Sequence, residues 1–289
     1  MQIPRVLFGD NQFFGVNHMS EEKARAQQMR FQNLEAIIEV LDHAHAAGIN
    51  TFMCTTHDRV EQICDHFRAN PERYADYQFY PCMPYAHKYN NAATEHGMIE
   101  AIRMFLPQDG FVAALLKSGT ALASKDVATI MGLLIDAEMK MFHGLKTPVI
   151  FMQNVITDLL LGLRMHSALR MFHDHVRSKY DAEPAYITMN LPLLLDVLEG
   201  LGIDNPVVCA NINKVGFRMC GGIETYERTI ANRRFRAIAM SVFASGAIPP
   251  REALEYVCRQ PRIESIVFGA SSRGNIQQTK SLIDELSAA

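Results

Sequence analysis

Short apolar runs and longer amphipathic stretches alternate along almost the whole chain. The runs Val6–Gly9, Thr51–Thr55, Gln78–Met83, Val149–Gln153, Ala185–Asn190, Val207–Asn211, Ala237–Val242 and Ser265–Gly269 read as strands. Between them, residues 22–46, 58–68, 124–143, 157–178, 192–201, 222–232, 250–259 and 274–287 carry helical patterns. Eight strands, each followed by a helix, predict an α/β fold, a (β/α)8 TIM barrel formed as one domain over 1–289. One connection exceeds a single crossover: the third strand ends near Met83 and the fourth begins near Val149. Residues 92–118 predict one or two extra helices broken at Pro107-Gln-Asp-Gly110. This helical insertion, spanning residues 90–120, stands either over the C-terminal face, where barrel sites lie, or elsewhere on the outside.

Composition narrows the class without changing the fold. The chain is 48% hydrophobic and 20% charged with a net charge of −3, which excludes disorder. It gives no electrostatic case for nucleic acid or an anionic membrane as partner. Arg228, Arg233, Arg234 and Arg236 read as a solvated helix end. Met1-Gln-Ile-Pro-Arg-Val lacks the pattern of a signal peptide, and no apolar run reaches the ~18 residues a span requires. The six cysteines form no C-x-x-C pair and read as reduced, packed thiols. A cytoplasmic location is expected.

The segment Phe235 to Leu282 is the most distinctive. A strand runs through Met240-Ser-Val-Phe-Ala-Ser-Gly246 into the helical Arg251-Glu-Ala-Leu-Glu-Tyr-Val257, and a second runs through Phe268-Gly-Ala-Ser-Ser-Arg-Gly-Asn275 into the last helix. Upstream, Ala46-Ala-Gly-Ile-Asn-Thr-Phe52 leads into the second strand, and Met189-Asn190 closes the fifth. In these places the chain resembles the aldo/keto reductase superfamily, over nearly its whole length in element order and most specifically over 235–282. The resemblance implies a barrel oxidoreductase with NADP(H) as cofactor, held by Asn190, Ser241, Gly269, Ala270, Ser271, Ser272 and Arg273. The family's Asp, Tyr, Lys and His tetrad does not carry over. Its Asp falls on Met53 or Cys54, its Tyr on His57, Asp58 or Arg59, its Lys on Cys82 or Met83, and its His on Gln153 or Asn154. The Gln that stacks on nicotinamide in the family falls on Cys209 or Ala210.

The strand ends offer other chemistry. Polar residues follow every strand, beginning with Asp10-Asn-Gln-Phe-Phe-Gly-Val-Asn-His18, which implies a wet pocket for a small polar substrate. His57 with Asp58 reads as an acid/base unit, a carboxylate fixing an imidazole tautomer, or else Asp58 is the N-cap of the next helix. Lys88 and Lys214 read as Schiff-base lysines or as exposed cations. His57, Asp58 and Lys88 are the candidate catalytic residues. The Gly269-Ala-Ser-Ser-Arg273 turn, with backbone N–H groups, two hydroxyls and a guanidinium at a helix start, suits a phosphate. His18, His57 and His87 lack metal-ligand spacing, and no metal is expected. His43 with His45, and His173 with His175, stand two apart on helices and do not face one another. Three activities stay open: a reductase-like enzyme using His57 with Asp58 or Lys88, a cofactor-independent lyase or isomerase of a phosphorylated small molecule, and a non-catalytic ligand-binding barrel.

Overall fold

The computed structural model describes residues 2–15, 20–85 and 124–288. Eight parallel strands close into a barrel in sequence order, with the last strand paired to the first: β1 Val6–Gly9, β2 Thr51–Thr55, β3 Gln78–Met83, β4 Val149–Met152, β5 Glu183–Thr188, β6 Val207–Asn211, β7 Arg236–Met240 and β8 Ile263–Phe268. Helices α1 Glu21–Arg30, α2 Leu34–Ala46, α3 Asp58–Ala69, α4 Ser124–Met139, α5 Asn154–Gly162, α6 His166–Tyr180, α7 Leu191–Gly200, α8 Ile223–Asn232, α9 Pro250–Arg259 and α10 Arg273–Ala288 follow the strands. The region predicted to hold the helical insertion, 90–120, lies outside the described residues.

The strands are apolar on both faces because both faces are covered. Leu7, Met53, Tyr80, Cys82, Phe151, Ala185, Ile187, Cys209 and Ile238 pack together inside the barrel. Their neighbours in sequence, such as Phe8, Phe52, Phe79, Ile150, Tyr186, Val208 and Ala237, join the larger core between sheet and helices. In α3 the buried residues Val60, Ile63, Cys64 and Phe67 follow helical spacing and form the stripe that meets the sheet. Each such large apolar side chain contributes roughly 1.5–3 kcal/mol on burial.

Two predicted helices are each divided. Residues 22–46 form α1 and α2, because Phe31 leaves the helical path to bury fully against Phe13, ring to ring at 5.1 Å. Residues 157–178 lie in α5 and α6, separated at Arg164, whose backbone is left-handed. Strands β1, β2, β3 and β6 have the predicted limits, whereas β4, β5, β7 and β8 end one or two residues earlier than expected. The residues released from the ladders, Gln153, Met189, Asn190, Ser241, Val242 and Gly269, turn away at the C-terminal mouth of the barrel.

Candidate active site

The mouth is organised from β1 outward. After Gly9 the chain enters a tight 3-10 turn, Asn11–Phe14, closed by the Phe13 N–H donating to the Asp10 carbonyl at 2.9 Å. Phe13 anchors this turn, fully buried between Phe31 and Phe52. The anchored turn sets Asp10 against β2, where the Thr55 N–H and hydroxyl both donate to Asp10 Oδ2 at 2.7 Å. Asp10 is only 7% exposed, and burial pushes its carboxyl above the usual range despite the lowering effect of the Thr55 bonds. Beside it, Gln12 Nε2 donates to the Gly9 carbonyl at 2.8 Å. The buried Gln12 Oε1 has no donor among the described residues, and it lies where a side chain on Gly269 would point.

The ends of β2 and β3 are tied to α4 by a buried carboxylate. Glu138 accepts the Thr56 hydroxyl and the Tyr85 N–H. His57 is the N-cap of α3, its Nδ1 accepting the Arg59 N–H at 3.1 Å, which puts the proton of the neutral ring on Nε2. The His57 ring stacks on Phe14 at 4.3 Å and meets Tyr85 at 6.0 Å. The cap is therefore His57, and Asp58 is the exposed first residue of α3, where its charge favours the helix dipole. Burial, then the negative charges of Asp10 and Asp58, raise the Tyr85 phenol. Burial also pushes the Cys54 and Cys82 thiols far up, with Asp10 adding to the effect. Both stay protonated and serve as packing groups rather than as nucleophiles.

On the opposite side several polar strand ends are occupied in holding the loops. The Asn190 side chain caps α7 by accepting the Leu193 N–H, and its own N–H donates to Thr188 Oγ1. Asn211 donates to the Arg218 carbonyl, and Asn213 both donates to and accepts from the Phe217 backbone. Lys214 is half exposed and paired with Glu252 at 2.6 Å. After β7, Ser241, Ala244 and Ser245 all hold left-handed backbones, each at a cost of order 1–3 kcal/mol.

The turn after β8 is partly exposed. Ser272 caps α10, its hydroxyl accepting the Asn275 N–H at 3.3 Å and its carbonyl the Ile276 N–H at 3.0 Å. Arg273 is exposed at the helix start, with Ser271 and Ala270 half exposed beside it. An N-terminus with a hydroxyl and a guanidinium can hold an anion through backbone N–H groups and charge.

Of the sequence-predicted groups, His57 and Asp58 lie at the mouth beside Tyr85, and Gly269 to Arg273 form one turn. Lys88, His18 and His87 lie outside the described residues. Among the described residues, no group of three or more His, Cys, Asp or Glu is placed to hold a metal ion. His45 bonds Asp76 and His175 bonds Asp136, whereas His43 sits beside Glu39. The chain pattern had not singled out Asp10 or Glu138. Asp10 opened the unusually polar first loop, which was its only signal. Glu138 sits inside a helical pattern, and nothing local shows that it reaches two strand ends.

No family model matches the sequence, and no curated protein sequence does. Solved structures match nearly the whole chain. A Pseudomonas aeruginosa protein assigned to the aldo-keto reductases aligns over 98% of this chain and 90% of its own at 11% identity, with a TM-score of 0.59. An aldo/keto reductase from Brucella melitensis aligns over 99% and 93% at 10% identity, TM-score 0.53. A protein assigned as a 2,5-diketo-D-gluconic acid reductase B aligns over 99% and 86% at 9% identity, TM-score 0.54. The likeness is one of architecture: the chain folds as the barrel of the aldo-keto reductases does.

Proposed function

We propose that the C-terminal mouth is the active site of an oxidoreductase-type enzyme that acts on a small polar carbonyl or hydroxyl compound. In this reading NADP(H) binds across the turns after β7 and β8. The observation that carries it is the β8 turn, where Ser271, Ser272 and Arg273 stand at the start of α10, a helix of 16 residues. These residues fit the phosphate end of a dinucleotide, with Ser241 and Asn190 on the same rim. The ring end differs from the family pattern: Cys209 points into the barrel and Ala210 into the outer core, both buried, so β6 supplies no stacking side chain there.

A bound nicotinamide supplies hydride, and the protein supplies position and protons. Met53 and Cys82 at two tetrad positions are buried in the barrel and carry no acid. In this reading the acid/base group comes from the other strand ends, among which His57 is a candidate to donate Nε2–H to a substrate oxygen, with Asp58 or Lys88 as its companion. Titrating NADPH while following its fluorescence tests the reading. Saturable binding is expected, weakened about tenfold or more in Arg273→Ala, as for loss of a hydrogen bond to a charged group. No binding by the wild-type protein at millimolar NADPH would sink it.

A further inference from the structure

We propose that Asp10 is the proton donor and acceptor of the mouth. Its carboxylate is fixed through one oxygen by Thr55 and presents the other toward the substrate. This rests on the reading of the mouth as an active site and names a group that no tetrad position supplies. The geometry is that of a held acid. Both Thr55 bonds fall on Oδ2, at 2.7 Å each, so the carboxyl plane is fixed while Oδ1 stays outside that pair. The turn carrying it is pinned by the buried Phe13 ring. The residue is 7% exposed, so little of the carboxyl meets solvent.

Its titratable neighbours among the described residues are Cys54 and Cys82, both protonated, and Tyr85, with His57 one ring further out against Tyr85. Among the described residues no cation contributes to stabilising the ionised form, and burial outweighs the bonds it accepts. A carboxyl so placed holds its proton to higher pH than an ordinary aspartate, which suits a group that must give one up and take it back. In the step itself, a substrate oxygen gaining negative charge takes the proton from Asp10. The new O–H bond forms as the carboxyl O–H breaks, and the carboxylate recovers a proton from water. The reverse reaction runs the same transfer backwards, with the substrate hydroxyl giving its proton to the carboxylate. His57, whose Nδ1 is committed to capping α3, can donate a hydrogen bond to that oxygen through Nε2 without changing charge.

Asp10→Asn keeps the shape and the acceptor for Thr55 but cannot exchange a proton. The folded chain holds the Asp10 proton above the ordinary value of 3.8. Stability is therefore lost as pH rises from that value through the folded one, and the buried charge burdens the fold at neutral and alkaline pH. Asp10→Asn should therefore melt higher than wild type at pH 8, whereas a merely structural tie between β1 and β2 predicts a lower melting temperature. With NADPH and glyoxylate or glyceraldehyde as probes, the variant should bind NADPH as wild type does while kcat falls about a hundredfold or more. A lower melting temperature, or an unchanged kcat, overturns the assignment. If wild type fails to bind NADPH, the function proposed above falls, and Asp10 is judged on its own. A carboxyl 13C titration, assigned by comparison with Asp10→Asn, should then place it above 3.8; titration at or below that value overturns the proposal.

Discussion

A methyl group on Gly269 would stand 2.0 Å from Gln12 Oε1. The end of β8 and the turn after β1 thus meet at one point, where only glycine leaves room for the buried amide. Gly269→Ala should displace Gln12 from the Gly9 carbonyl and cost roughly 1–3 kcal/mol, the usual range for overpacking. Urea unfolding measures it, and an unchanged midpoint would show that Gln12 moves without cost. At this scale the sequence revealed residue types more readily than roles. Gly269, expected in the phosphate turn, must also leave room for Gln12, some 250 residues away in the chain and visible only once the barrel closes. The pair His57-Asp58 reads either as an acid/base unit or as a helix start capped by Asp58; adjacency in sequence does not show that His57 itself makes the cap through Nδ1. Asp10 escaped because a buried acid is recognised by its surroundings, which a local pattern does not contain.

Elements were far more legible than roles, for a physical reason. Strands covered on both faces must be apolar throughout, so β1, β2, β3 and β6 could be read to the residue, and the overruns elsewhere fall on polar mouth residues. Helices α1 and α2 merged in the sequence because the break at Phe31 comes from burial against Phe13, a tertiary contact. The pairing of α4 with α6 likewise has no local signal. Asp136 on α4 accepts bonds from Lys179, Tyr180 and His175 of α6, at 2.6, 2.6 and 2.8 Å. Burial alone would raise its carboxyl, and these donors more than reverse that, holding it below the ordinary 3.8. The folded chain thus releases this proton more readily than the unfolded chain. The contribution is present above about 3.8 and is lost as pH falls through the lower folded value. Asp136→Asn should lower the melting temperature near neutral pH, and the difference should close in acid. A difference that persists at low pH would assign the effect to packing instead.

At the scale of the molecule, the alternation of strands and helices predicted the eight-stranded barrel and therefore the face on which a site must lie. The resemblance over residues 235–282 pointed to the same architecture as the solved reductases. What distinguishes this chain is the redistribution of chemistry around the mouth. Where the resemblance implies a tetrad, the chain has Met53, Cys82 and Gln153; the acid we propose follows β1, the imidazole of His57 caps α3, and the proposed anion site is the turn after β8. A crystal soaked in NADP⁺ tests this account most directly. The account predicts the dinucleotide at the C-terminal mouth with a phosphate on Ser271, Ser272 and Arg273, and Asp10 facing the nicotinamide end. A dinucleotide bound away from the β8 turn, or none bound at millimolar NADP⁺ in the soak, would contradict it.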